Sequence, residues 1–141
     1  MSSRLQGFGN QLIEYHQRLR EQLDVLREGA EPDGKDLITH CLSFCGALTR
    51  HHTGEDNGAF PALAAEYPEL RPVLEELGRD HVLIAAAVRR LEKLADLDPA
   101  QRQTELDTVA ALVETHFTYE ERKLVDAMNA LDDERLALPF R

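Results

Sequence analysis

Four histidines, His16, His51, His81 and His116, interrupt apolar stripes that otherwise recur at helical spacing, and Glu55 and Glu120 follow two of them by four residues. His16 completes the rhythm between Leu12 and Leu19, as His81 does between Leu77 and Ile84. His51 and Glu55 follow Leu48, and His116 and Glu120 separate Val113 from Leu124. A His-x-x-x-Glu spacing projects both side chains from one helical face. A carboxylate buried on such a face is costly unless it is paired or coordinated. Two of them beside four imidazoles therefore point to metal, with each imidazole binding one ion while the neighbouring carboxylate bridges to a second. Imidazole suits iron, zinc, copper and nickel, and bridging carboxylate suits iron or manganese. Thiolates are missing from the set, so iron is favoured over manganese and zinc.

The spacing is repeated. His16 and His51 stand 35 residues apart, as do His81 and His116, and a shift of 65 residues carries His16, His51 and Glu55 onto His81, His116 and Glu120. The same shift carries Leu12 onto Leu77, Leu19 onto Ile84 and Leu48 onto Val113. The chain reads as a duplicated helix pair that presents matched ligand sets to a shared centre.

The elements that must position these residues are four amphipathic helices. The first spans about Arg4 to Glu28, with Leu5, Phe8, Leu12, Leu19, Leu23 and Leu26 on one stripe, and ends in the breaker-rich run from Gly29 to Gly34. The second starts near Lys35, carries Leu37, Cys41, Phe44 and Leu48, and continues towards Pro61 through Gly54 and Asn57-Gly58, where its helical signal weakens. The third follows Tyr67-Pro68, carries Leu70, Leu74, Leu77, Ile84, Val88 and Leu91, and stops around Asp96. The fourth opens with Asp98 as N-cap, Pro99 at the first helical position and Gln101 three after the cap. Leu106, Val109, Val113, Leu124, Ala127 and Leu131 form its stripe. The expected fold is an all-α, antiparallel up-down-up-down four-helix bundle over residues 1–134, with an irregular tail over 135–141. All four histidines fall near mid-helix, so they should meet at one level as a mid-bundle binuclear site.

Composition narrows the partners. The 141 residues carry 16 Lys and Arg against 26 Asp and Glu, a formal charge of −10 with no basic cluster, which argues against nucleic acid. No apolar run approaches the roughly 20 residues needed to span a bilayer, and the first residues show no secretory signal. The expected location is cytoplasmic, with no membrane partner. Cys41 and Cys45, one helical turn apart, read as reduced core residues. No phosphate-cradling glycine loop or nucleophile elbow suggests a hydrolase or transferase.

The ordered set of His16, His51-x-x-x-Glu55, His81 and His116-x-x-x-Glu120 resembles the hemerythrin-like, or HHE cation-binding, domains. The strings His51-His52-Thr53-Gly54-Glu55-Asp56 and His116-Phe117-Thr118-Tyr119-Glu120-Glu121 carry the likeness, which runs from about Leu12 to Met128. The resemblance implies a non-heme di-iron centre, oxo- or hydroxo-bridged, that binds dioxygen or related small ligands. Carried over, His16 and His51 bind one iron, His81 and His116 the other, and Glu55 and Glu120 bridge. Oxygen-carrying relatives have a fifth histidine one turn before the third-helix histidine, where this chain has Leu77. That departure disfavours reversible oxygen transport and favours peroxide, nitric oxide or redox chemistry, including catalase- or peroxidase-like turnover. The rival readings are a non-enzymatic iron, oxygen or redox sensor or storage module acting through a protein partner, and a metal-free bundle with a polar layer.

The remaining polar residues read as bystanders. His52 lies about 100° from His51 by helical pitch, so it is expected on a flank or at the surface, with a ligand role as the alternative. His40 is off the Leu37-Cys41-Phe44 line and is placed near a helix end. Asp56 and Glu121 are expected to be solvated, with a role in fixing an imidazole tautomer as the alternative. Tyr15 and Tyr119 are expected to pack beside the seam.

Overall fold

The computed structural model describes residues 8–28 and 35–130, the side chains of residues 35–37 excepted. Every long element is a helix: α1 (Phe8–Glu28), α2 (Lys35–Gly54), α3 (Phe60–Glu66), α4 (Arg71–Leu91) and α5 (Pro99–Ala130). Leu5, the side chain of Leu37, the Gly29–Gly34 turn, Leu131 and the 135–141 tail lie outside the described residues.

The weakened stretch after Gly54 has a specific form. The chain does not leave the helix there. It passes through a π-helical turn, Glu55–Ala59, directly into α3, where Pro61 sits at a position that needs no hydrogen-bonded N–H. Short 3₁₀ turns at Pro68–Leu70 and Leu94–Asp96 make the two remaining connections. The start of α5 is as expected: Asp98 Oδ1 accepts from the Gln101 N–H at 2.8 Å, and the Gln101 side chain accepts from the Asp98 N–H at 3.1 Å. The first turn of α1 is capped from far along the chain, where Asn129 Oδ1 accepts the N–H groups of Gly9 at 2.8 Å and Asn10 at 3.3 Å.

Helix α1 packs against α2 and α5, and α4 packs against the same two, which is compatible with a four-helix bundle. The core divides into two apolar clusters. One holds Leu19, Leu48, Ile84 and Val113; the other holds Leu12, Ala59, Leu77 and Leu124. Between them, on every long helix, stands a histidine: Leu12-His16-Leu19, Leu48-His51-Ala59, Leu77-His81-Ile84 and Val113-His116-Leu124. The polar residues thus form one layer sealed above and below by hydrocarbon, with Cys41 and Cys45 buried as free thiols in the first cluster.

Candidate metal centre

All six residues singled out by spacing are buried in that layer, and seven polar residues share it because His52 is there too. They fall into two groups whose donor atoms lie within 4.8 Å of one another: His16, His51, Glu55 and Glu120, and His52, Glu55, His81 and His116. Glu55 belongs to both. One of its oxygens lies 3.3 Å from His51 Nε2 and the other 3.2 Å from His81 Nε2. Glu120 spans the layer in the opposite sense, with Oε1 at 3.3 Å from His16 Nε2 and 3.8 Å from His116 Nε2.

The outer edges of the imidazoles explain why the inner nitrogens are available. His16 Nδ1 lies 2.7 Å from Glu121, His81 Nδ1 2.9 Å from Asp56 and His116 Nδ1 3.1 Å from Asp80. A carboxylate can only accept, so each Nδ1 carries the donated proton and each Nε2 lone pair is turned inward. Asp56 and Glu121, expected mainly as solvated, therefore have the tautomer-fixing role. Asp80, one residue before His81, joins them and was not anticipated. Arg20 holds Glu121 at 3.0 Å and Glu114 at 2.8 Å, which fixes the carboxylate behind His16. Tyr15 packs flat on His51 with centroids 4.8 Å apart, and Tyr119 donates to Glu76 at 2.7 Å on an exposed edge.

His52 corrects the expectation of a flank or surface residue. It is 6% exposed, and its Nε2 is buried. The physical reason is the width of the centre. Taking His51 as origin, about 100° per residue puts Glu55 at about 40° and His52 at about 100°, so Glu55 lies between the two histidines in angle. A seam with one donor group would accommodate one of them, whereas two adjoining donor groups take both. The signal was present in the sequence, since Glu55 stands three residues after His52 as well as four after His51. His40 is exposed, five residues into α2, as expected.

The donor set fits metal. The Nε2 atoms of His52, His81 and His116 and all four oxygens of Glu55 and Glu120 are buried and close together without the alignment of hydrogen bonds. Polar atoms left so in a sealed layer incur the full desolvation cost unless something else binds them. Ligand atoms each about 2.0–2.2 Å from one ion stand roughly 3.0–3.4 Å apart. The observed separations cluster there, including 3.2 Å between His16 Nε2 and His51 Nε2.

Electrostatics agree. Burial lowers the His81 pKa, lowers that of His52 strongly and brings that of His51 to about 3, which favours the neutral form that a metal requires. Burial also pushes the Glu55 carboxyl well up, reinforced by the adjacent Glu120 charge. Burial acts in the same direction on Glu120, but the adjoining Glu55 and His16 outweigh it and hold its pKa well down. For His16 burial lowers the pKa and the carboxylates of Glu120 and Glu121 more than restore it, leaving it raised. Protons thus occupy, in the metal-free chain, positions that a cation would neutralise.

Residues 9–128 match the family model of the hemerythrin HHE cation-binding domain, and the chain belongs to that family. The family is one of cation binders, and the His and Glu groups described above could hold the metal. No curated protein and no solved structure matches the chain. Among the described residues no helix is long and apolar enough to cross a membrane.

Proposed function

We propose that this chain holds two iron ions, bridged by Glu55 and Glu120 and by an oxo or hydroxo group, and binds dioxygen, peroxide or nitric oxide there. His16 and His51 hold one ion, His81 and His116 hold the other, and His52 joins the second set. The observation that carries this reading is the pair of donor groups sharing Glu55, in which the Nε2 atoms of His52, His81 and His116 and the oxygens of Glu55 and Glu120 are buried without hydrogen-bond partners. The bundle is read as up-down-up-down, supported by cluster order: α1 and α4 run from the Leu12 cluster to the Leu19 cluster, α2 and α5 the other way.

Iron supplies redox change and open coordination positions; the chain's own residues set what can reach it. Asp56, Asp80 and Glu121 hold the imidazoles in one tautomer, and the two apolar clusters exclude bulk water above and below. Turnover at such a centre would be peroxide decomposition or two-electron redox chemistry. A cytoplasmic setting is supported by the free thiols of Cys41 and Cys45. A sensor acting through a protein partner is the second reading, favoured by Val82 and Leu83, which are 68% and 61% exposed immediately after His81.

Elemental analysis after iron reconstitution tests the centre. Two irons per chain support it, and a chain that retains none overturns it. Peroxide disproportionation by the loaded protein separates turnover from sensing, which instead predicts redox-dependent melting or partner binding without turnover.

A further inference from the structure

The 65-residue repeat is broken at one place in the layer. Phe117 lies flat on His16, with ring centroids 3.7 Å apart and planes 3° apart. The same shift puts His52 where Phe117 stands, and His52 lies flat on His81 at 3.9 Å and 14°. One half thus stacks hydrocarbon on its histidine, and the other stacks a ligand-type ring.

The two sides differ in access as well. His16 is fully buried under Phe117, whose ring is covered in turn by the Arg20 guanidinium at 5.3 Å. On the other side a cavity of about 210 Å³ opens between α2 and α4, with Thr49, Thr53, Val82 and Ala85 among its walls and His52 and His81 at its inner end. Each donor group offers four protein donors, Glu55 being shared: two imidazoles and two carboxylates at His16, His51, Glu55 and Glu120, and three imidazoles and one carboxylate at His52, Glu55, His81 and His116. The cavity therefore leads to the imidazole-rich group, and His52 and His81 are the rings that line it.

We propose that His52 is a displaceable ligand: a small incoming molecule reaches the centre through the α2–α4 cavity and binds by replacing the His52 imidazole. The exchange is a ligand substitution. The Nε2-to-metal bond breaks with its electron pair returning to the ring, a bond from the incoming donor forms, and no electron or proton leaves the site. The cavity gives the released ring somewhere to go, and the stack on His81 holds it close enough to return. The carboxylate bridges stay in place. This inference rests on the binuclear reading above.

Cobalt(II) loading provides a test independent of turnover, with azide as the incoming probe. Wild type, His52→Ala and His52→Phe are loaded, counted for metal and compared by ligand-field spectra. The Phe variant copies the Phe117 arrangement and so guards against a folding failure. Both variants should keep two cobalt ions per chain and show the same spectral change from loss of one nitrogen donor. Added imidazole should restore the wild-type spectrum in His52→Ala, where there is room for it. Azide should bind wild type at a rate that saturates with concentration. In His52→Ala binding should be about tenfold tighter and linear in rate, as expected when a competing closed state is removed. Unchanged spectra in both variants, loss of an ion that imidazole does not restore, or equal azide kinetics in wild type and His52→Ala would each overturn the inference. Wild type that takes up fewer than two ions would instead overturn the binuclear reading on which it rests.

Discussion

His16 donates its Nδ1–H to Glu121 at 2.7 Å, and the same relation recurs 65 residues away as His81 donating to Asp56 at 2.9 Å. In both cases the accepting carboxylate is the residue directly after the other half's inward glutamate. Each helix pair therefore orients a histidine belonging to the other pair, and neither half can present its full donor set alone. The repeat is completed across the bundle.

Removing one of these outer carboxylates should weaken metal binding without removing a donor. Glu121→Ala is expected to lower affinity 10- to 100-fold, in the range found when the partner of a metal-bound histidine is lost. Glu121→Gln, which keeps an acceptor oxygen, should lose less. Glu114→Ala is the control, because it takes the other carboxylate from Arg20 but leaves His16 its partner. Chelator competition measures all three, and equal losses in Glu121→Ala and Glu114→Ala would reduce the effect to general destabilisation.

Glu55 and Glu120 are related by the repeat but not equivalent in place. Glu55 belongs to both donor groups, Glu120 to one. Glu55→Ala should therefore cut metal content to one ion or fewer, whereas Glu120→Ala should retain more. Metal analysis of the two reconstituted variants ranks them, and the reverse order would contradict the bridging assignment of Glu55.

Outside the polar layer a tight constraint falls at Gly9. A Cβ there would lie 2.4 Å from the Val125 carbonyl oxygen and 2.8 Å from its Cγ1, so α1 and α5 can approach this closely only because the side chain is missing. The Asn129 cap on Gly9 N–H depends on the same approach. Gly9→Ala should destabilise the fold by about 1–3 kcal/mol, the usual cost of overpacking, despite alanine's better helix propensity. Thermal melting checks it, and a rise in the midpoint would show that the helices can separate at little cost.

Much of this was legible in the sequence because the metal imposes a rule that packing does not. An apolar stripe tolerates one residue type for another, but a donor must fall on the stripe at one depth, and His16, His51, His81 and His116 each do. The expected entrance to α5 held for a similar reason, since Asp98 and Gln101 act on neighbouring backbone. His52 escaped because a face 100° wide is not a feature of a single helix; it follows from two donor groups lying side by side. Asp80 escaped because its carboxylate acts on α5 from α4, a relation set only by how the helices pack. The π turn at Glu55–Ala59 was visible as a weakened helix signal, but nothing local distinguished an extra residue per turn from a break.

The buried histidines also make acid stability predictable. Burial lowers the folded pKa of His51, His52 and His81, so each contributes stability that is present above the unfolded value of about 6.5 and lost as pH falls towards the folded value. The raised pKa of Glu55 acts oppositely, because between about 4.5 and its folded value the unfolded chain has released a proton that the folded chain keeps. Between about pH 4.5 and 6.5 the three histidines act against the single carboxyl, so unfolding takes up protons net and stability falls as the pH falls. His16, whose pKa is raised, adds stability below 6.5 that is lost as pH rises through its folded value. The metal-free protein should be most stable near neutrality and melt progressively earlier from pH 6.5 to pH 5. His52→Phe removes one of the imidazoles that take up a proton on unfolding and should flatten the slope, which denaturant titrations at a series of pH values can measure. A flat profile, or greater stability at pH 5 than at pH 7, would mean that these imidazoles are not held neutral in the folded layer.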